Sequence, residues 1–151
     1  MIEPTEFILS TSPFVVRRRV RWGECDPAGV VYTGKFTDYL LSSTMLFHDS
    51  LLEDFSDGYR KKMDIETPCK SMTLTFSRAL WPNETFDIHV AVADIRTSSY
   101  DVQVRAVVAD GSLVFTGQVS MVCIPRDERK SIPIPPDMRT RLEAARAPAT
   151  P

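Results

Sequence analysis

The residues best placed to do chemistry sit in one stretch, Trp22-Gly23-Glu24-Cys25-Asp26-Pro27-Ala28-Gly29-Val30-Val31-Tyr32, directly ahead of a long helical pattern. It carries two acids, Glu24 and Asp26. The start of a helix presents unpaired backbone N–H groups and a partial positive charge. Such an end keeps a nearby carboxylate ionised and can bind an oxyanion. One carboxylate beside a site of that kind is enough to hydrolyse an activated acyl group. Asp26 is the sharper candidate, because Pro27 fixes the chain that follows it. The same pattern also fits a purely structural part, since Asp-Pro is a frequent turn former and an Asp before a helix is commonly its cap.

Other reactive side chains are few. Cys25 lies beside Asp26, but no histidine is placed to activate its thiol, so it is expected as a small buried residue. His48 falls inside the helical pattern with no acid in register for a dyad, and is expected as a core histidine with one hydrogen bond. His89 alternates with Ile88 and Val90 and is expected to face solvent or a subunit interface. The cysteines, Cys25, Cys69 and Cys123, are odd in number and widely spaced, which argues against a disulfide framework and fits a reducing compartment. No CxxC and no HExxH occurs, so no metal site is expected.

The elements that must position Asp26 follow from hydrophobic periodicity. Residues 14–22 read as a strand, with Val16, Val20 and Trp22 on one face. Residues 23–34 hold three glycines and one proline and read as loop. From Phe36 to about Phe55, Phe36, Tyr39, Leu40, Ser43, Phe47 and Leu51 recur at helical spacing. Leu41, Met45, Leu46 and Leu52 widen the stripe until the helix is apolar nearly all round, the mark of a buried helix; Gly58 is the expected stop. Four alternating strands follow, through Met72–Leu80, Phe86–Val92, Tyr100–Val108 and Leu113–Cys123, with turns at Pro82-Asn83 and Asp110-Gly111, the latter a two-residue hairpin signal. A short helix is expected from about Pro136 to Arg146, with the last five residues frayed.

The order β-α-β-β-β-β predicts an α+β fold, an antiparallel sheet of about five strands wrapped around one long buried helix. The organisation is an N-terminal segment (1–13), one domain (14–135), and a C-terminal short helix with a frayed tail (136–151). One sheet can cover the helix on one side only, and the apolar surface left over predicts a homo-oligomer. The chain has 151 residues, 43% apolar and 25% charged, with a net charge of −2. That balance excludes a largely disordered chain and a nucleic-acid partner as the main one. No apolar run approaches the ~20 residues of a membrane span. The first residues lack a signal-peptide pattern, so a cytoplasmic location is expected. Alternation puts Arg17, Arg19 and Arg21 on one strand face, expected as a solvated face or edge protection.

The stretch from Arg19 to Tyr32 resembles the signature of the 4-hydroxybenzoyl-CoA thioesterase-like family. An aromatic and an acid precede the Asp, and then come a small-residue pair ending in Gly29, two aliphatics and an aromatic. The element order over about residues 14–140 is similar as well. The resemblance implies the hotdog fold and hydrolysis of acyl-CoA thioesters, with no cofactor besides the coenzyme A of the substrate. It implies Asp26 as nucleophile or general base, and backbone N–H groups at the helix start, Thr33 and Gly34, as oxyanion donors. Relatives often carry Tyr or His at position 33, so a side-chain role does not carry over there.

The same resemblance gives Gly29, Tyr32, Leu41 and Thr67 to substrate binding. Leu41 stands where the 4-hydroxybenzoyl enzyme has an acid facing the phenol. A leucine there leaves a buried phenol unpaired, at a cost of roughly 1–3 kcal/mol, which points to an aliphatic or unsubstituted aromatic acyl group. Coenzyme phosphates call for cations, and Arg96, Arg126, Arg129 and Lys130 follow strands where they could serve, or stand as solvated turn residues. The family's active site usually lies between subunits, which implies a dimer or a dimer of dimers (a homotetramer). An acyl-carrier-protein thioesterase and a non-catalytic acyl-CoA-binding protein are the alternatives.

Overall fold

The computed structural model describes residues 3–55 and 58–148. In chain order it contains β1 (Glu6–Thr11), β2 (Phe14–Arg19), a 3-10 turn (Trp22–Glu24), α1 (Lys35–Leu51), α2 (Tyr59–Lys62) and β3 (Ile65–Glu66). Then come β4 (Cys69–Phe76), β5 (Thr85–Ile95), β6 (Ser99–Val108), β7 (Leu113–Val122), β8 (Ile124–Pro125) and α3 (Pro136–Ala144). The period-two pattern works as it should: on β5, Phe86, Ile88, Val90 and Val92 are buried while Thr85, His89 and Asp94 are exposed. Antiparallel register then sets Ile88 opposite Ala106, Val90 opposite Val104 and Val92 opposite Val102. These pairs make one continuous apolar face.

The sheet has six strands in the order β1-β2-β5-β6-β7-β4, and β3 and β8 form a small second pair. α1 lies on the apolar face through Phe36, Tyr39, Leu40, Phe47 and His48, all buried. This is one antiparallel sheet on one long helix, as the element order predicts, and it is the hotdog arrangement that the family resemblance implies. The sixth strand is β1, inside the segment 1–13 that the sequence reading sets apart from the domain. β1 lacks a clear alternation, and its pairing with β2 makes it a strand. That pairing also corrects the edge-protection reading of the arginines, because β2 is an inner strand.

Other boundaries move for local reasons. α1 stops at Leu51 rather than near Phe55, and Glu53 takes a left-handed backbone with φ +53°. Gly58 (φ +64°) opens α2 instead of ending α1. The β6–β7 turn holds four residues, 109–112, with Gly111 at φ +86°. α3 is docked: Met138 and Leu142 are fully buried. Ala147, expected in the frayed tail, donates to the Val92 carbonyl at 2.8 Å; residues 149–151 of that tail lie outside the described residues.

Close approach of α1 to the sheet depends on Gly117. A Cβ there would stand 3.0 Å from Leu40 Cδ1 and 3.1 Å from the Thr73 carbonyl oxygen. The carbonyl belongs to the β4 backbone and cannot give way alone. Gly117→Ala is expected to cost about 1–3 kcal/mol by overpacking, read as a lower denaturant midpoint with an unchanged slope.

α1 is less enclosed than its sequence suggests. Met45 is 65% exposed and Leu41 and Leu46 are half-buried, so within one chain a face of the helix stays open. β4, at the sheet edge, exposes Met72 and Phe76 as well.

Candidate functional site

Asp26 sits in a small hairpin between the 3-10 turn and α1. Its amide donates to the Val30 carbonyl at 2.9 Å, Cys25 and Val31 form an isolated antiparallel bridge, and the Tyr32 amide donates to the Glu24 carbonyl at 3.1 Å. Gly29 closes the turn at φ +85°, a conformation that favours a residue without Cβ. The half-buried Asp26 carboxylate accepts the Ala28 amide at 2.9 Å. So Asp26 caps its own turn, not the helix; the α1 cap position is Gly34, which has no side-chain capping bond.

The helix start is open. The Lys35 and Phe36 amides bond back to Tyr32 and Thr33, whereas no acceptor meets the Thr33 or Gly34 amide among the described residues. Those two free donors lie at the positive end of a 17-residue helix, where an anion is favoured. The exposed Tyr32 ring folds over Gly34, and a Cβ at that position would collide with it. Gly34 thereby makes room for the Tyr32 ring beside the helix start.

Cys25 is half-buried against the core, and its thiol is pushed up, first by burial and then by the charges of Glu24 and Asp26. A raised thiol is a poor nucleophile, which leaves the carboxylate as the loop's reactive group. Among the described residues no cluster of three His, Cys, Asp or Glu side chains could hold a metal.

The rest of the expected site is divided. Leu41 lies on α1, half-buried. Thr67 is buried near the other end of that helix: its hydroxyl accepts from Arg60, and Arg60 also binds Asp49 and Asp54. Thr67 is thus held inside a structural network. His48, thirteen residues after Lys35 and so roughly 20 Å along the axis, belongs to the same end. Arg129 helps line a cleft of about 550 Å³ with Arg60, Glu66, Thr67 and Arg126; Lys130 is exposed nearby in sequence. Arg96 is already taken, with both Nη atoms on the Asp101 carboxylate at 2.7 and 2.9 Å and Nε on Ser99. Three of its five N–H donors are engaged in this way, and the two Nη–H groups that remain diverge, so the fork cannot grip a phosphate through both Nη atoms at once. One chain therefore brings Asp26, Gly29, Tyr32, Thr33 and Gly34 together, and groups Thr67 with Arg129 elsewhere.

His48 is a core histidine with two hydrogen bonds. Nδ1–H donates to the Thr44 carbonyl at 2.8 Å, and Nε2 accepts from the Tyr100 hydroxyl at 2.6 Å. Burial lowers its pKa to about 4, so the folded protein holds it neutral while the unfolded chain protonates near 6.5. Stability from this residue is complete above pH 6.5 and is lost as the pH falls towards 4. Unfolding free energy is expected to drop by about 2–3 kcal/mol between pH 7.5 and 4.5, and a His48→Gln variant to show a smaller drop in the same titration.

Glu24 is the residue whose importance sequence reasoning missed. It is 6% exposed and accepts from Arg18 Nη2 at 2.6 Å, the Tyr39 hydroxyl at 2.5 Å and the Arg21 amide at 3.2 Å. Burial alone would raise its pKa, but the bonds from Tyr39 and Arg18 outweigh it and the net shift is downward. The signal available was the acid two residues before Asp26; nothing in the sequence showed it turning inward.

The family model of the thioesterase-like superfamily matches residues 20–142. No curated protein matches the chain. Among solved structures, a thioesterase-superfamily protein from Jannaschia sp. is 25% identical, with 98% of this chain and 100% of that one covered and a TM-score of 0.80. A 1,4-dihydroxy-2-naphthoyl-CoA thioesterase from Synechocystis is 20% identical, with 85% and 94% covered and a TM-score of 0.73. A DHNA-CoA thioesterase from Staphylococcus aureus is 18% identical, with 85% and 87% covered and a TM-score of 0.71. The last two likenesses speak to the fold.

Proposed function

The chain belongs to the thioesterase-like superfamily, and on that premise we propose that it hydrolyses an acyl-CoA thioester to the free acid and coenzyme A. The observation that carries the reading is the Asp26 carboxylate on a loop that runs into a helix start with two unbonded amides, Thr33 and Gly34. A thioester carbonyl is electrophilic and its thiolate leaves readily, so one oxygen nucleophile and oxyanion stabilisation suffice. In this reading Asp26 attacks the carbonyl or activates water for the attack. The Thr33 and Gly34 amides take the developing oxyanion, and Tyr32 borders the acyl group. No cofactor is needed. Leu41 favours an aliphatic or unsubstituted aromatic acyl group over a phenolic one.

The working unit in this proposal is a homodimer joined along the free edge of β4. A two-fold axis normal to the sheet at β4 would run the two α1 helices antiparallel. That sets the Asp26 end of one protomer beside the partner's Thr67 and Arg129. Support comes from the exposed Met72 and Phe76 on β4 and Met45 on α1 and from the division of the expected site residues between the two ends of α1. Arg129 and Lys130 then reach the coenzyme's phosphates; Arg96, held by Asp101, does not.

The test is thiol release from acyl-CoAs with short, medium and long aliphatic chains and with benzoyl and 4-hydroxybenzoyl groups, run alongside sedimentation of the protein. Turnover by a dimer or larger assembly, with 4-hydroxybenzoyl-CoA among the poorer substrates, is the expected result. Tight acyl-CoA binding without turnover would make the protein a binding module. Turnover confined to acyl-carrier-protein thioesters would move the substrate class. A monomer with full activity would remove the shared site.

A further inference from the structure

The buried Glu24 joins three elements at one carboxylate. Arg18 comes from β2, the Arg21 amide from the residue that leads into the 3-10 turn, and Tyr39 from the second turn of α1. Arg18 also pairs with Glu6 of β1, Glu6 in turn accepts from Ser42 of α1, and the Arg18 guanidinium lies 4.7 Å from the Tyr39 ring centroid. The backbone of Glu24 takes part as well, since its carbonyl accepts the Tyr32 amide at the base of the Asp26 hairpin. The returning arm of that hairpin is fastened once more, by the Val31 amide to the Leu80 carbonyl at 2.8 Å. Asp26 lies two residues beyond Glu24, and Tyr39 lies five residues beyond Gly34. The carboxylate thus ties the hairpin that carries Asp26 to the helix that carries the free amides.

We propose that Glu24, held by Arg18 and Tyr39, is the positioning residue that sets the Asp26 carboxylate against the start of α1. The inference rests on the acyl-CoA reading for its kinetic consequence, and on the hydrogen-bond geometry alone for its structural one. Glu24 does not touch substrate; it is buried beneath the loop. A catalytic carboxylate must stand within a fraction of an ångström of its working place, because a misplacement of about 1 Å can cost on the order of 100-fold in rate. A buried charge with several fixed donors supplies that rigidity, and its own net-downward shift shows that the donors favour the ionised form.

Two variants of the full chain test this, Glu24→Gln and Tyr39→Phe. Tyr39→Phe removes one donor and keeps the ring that packs on Phe36 and Phe86, so it decides the matter should Glu24→Gln fail to fold. Amide hydrogen exchange at Asp26, Gly29 and Tyr32 is expected to speed up at least ~10-fold, with the amides of β5 and β6 unchanged. On the best acyl-CoA, kcat is expected to fall about 10-fold or more with KM moving less than about threefold. Loop amides as protected as in the wild type, or an unchanged kcat per folded molecule, would overturn the proposal. A wild type that releases no thiol would sink the acyl-CoA reading, and the exchange data would still decide whether Glu24 anchors the loop.

Discussion

Asp26→Asn is expected to lower kcat/KM on the best acyl-CoA by about 100-fold or more while leaving the protein folded. The substitution separates chemistry from architecture because of what the carboxylate does in its loop. One oxygen accepts the Ala28 amide at 2.9 Å, and an asparagine carbonyl can accept the same bond, so the turn survives. Asparagine cannot attack a thioester to give an anhydride, and it is too weak a base to activate water. Thermal unfolding within a few degrees of the wild type together with the rate loss would assign Asp26 to the reaction. If the variant keeps its activity, the carboxylate is a turn cap and nothing more, and a different nucleophile has to be found. The Thr33 and Gly34 amides would persist in the variant, so residual activity above the uncatalysed rate is expected, as seen when a nucleophile is lost and an oxyanion site remains.

Phe115→Ala is expected to have the largest effect on stability, about 3–5 kcal/mol, or roughly 10 °C in Tm for a chain of this length. Phe115 is fully buried on β7. Its ring meets Phe36 edge-on at 5.7 Å, and Phe36 meets Phe76 and Tyr39 in the same way at 5.1 and 5.9 Å. These rings lie under the first turn of α1, between the sheet and the helix start. The alanine leaves a cavity between the sheet and the first turn of α1, so the transfer and cavity costs add. Equilibrium denaturation in urea measures this directly. A loss below about 1 kcal/mol would mean that the aromatic cluster repacks and that the helix start is supported some other way. Phe115 also holds up the end of α1 that carries the free amides, so kcat of the folded fraction is expected to fall with stability.

How much of this protein could be read from its residues depends on whether the deciding interactions are local. The period-two runs on β5, β6 and β7 and the helical stripe from Phe36 to Leu51 fix element type from neighbours in the chain. They delivered the α+β class and one helix on one antiparallel sheet, and the motif from Trp22 to Tyr32 marked the loop that bears Asp26. Element ends were legible only where backbone preference is strong. The left-handed Glu53 ends α1 early, although no feature of a glutamate announces it. β1 was missed because a strand without clean alternation is made by its partner; only the pairing with β2 shows it.

The site divides along the same line. Asp26, Gly29 and the helix-start amides are neighbours in sequence, and the fold keeps them together. Arg96 read as a free cation, yet β6 carries Asp101 within reach of its fork, an arrangement that depends on register across a turn. Thr67 read as a substrate contact beside Asp26, yet within one chain it is buried at the other end of α1, where its hydroxyl accepts from Arg60. Glu24 read as one of two loop acids, yet it is the one that turns inward, because Arg18 from β2 and Tyr39 from α1 converge on it from 6 and 15 residues away. A sequence states which groups could meet. The free energy of burying a charge is favourable only where several donors arrive at once, and which donors arrive is decided by how the sheet and the helix pack.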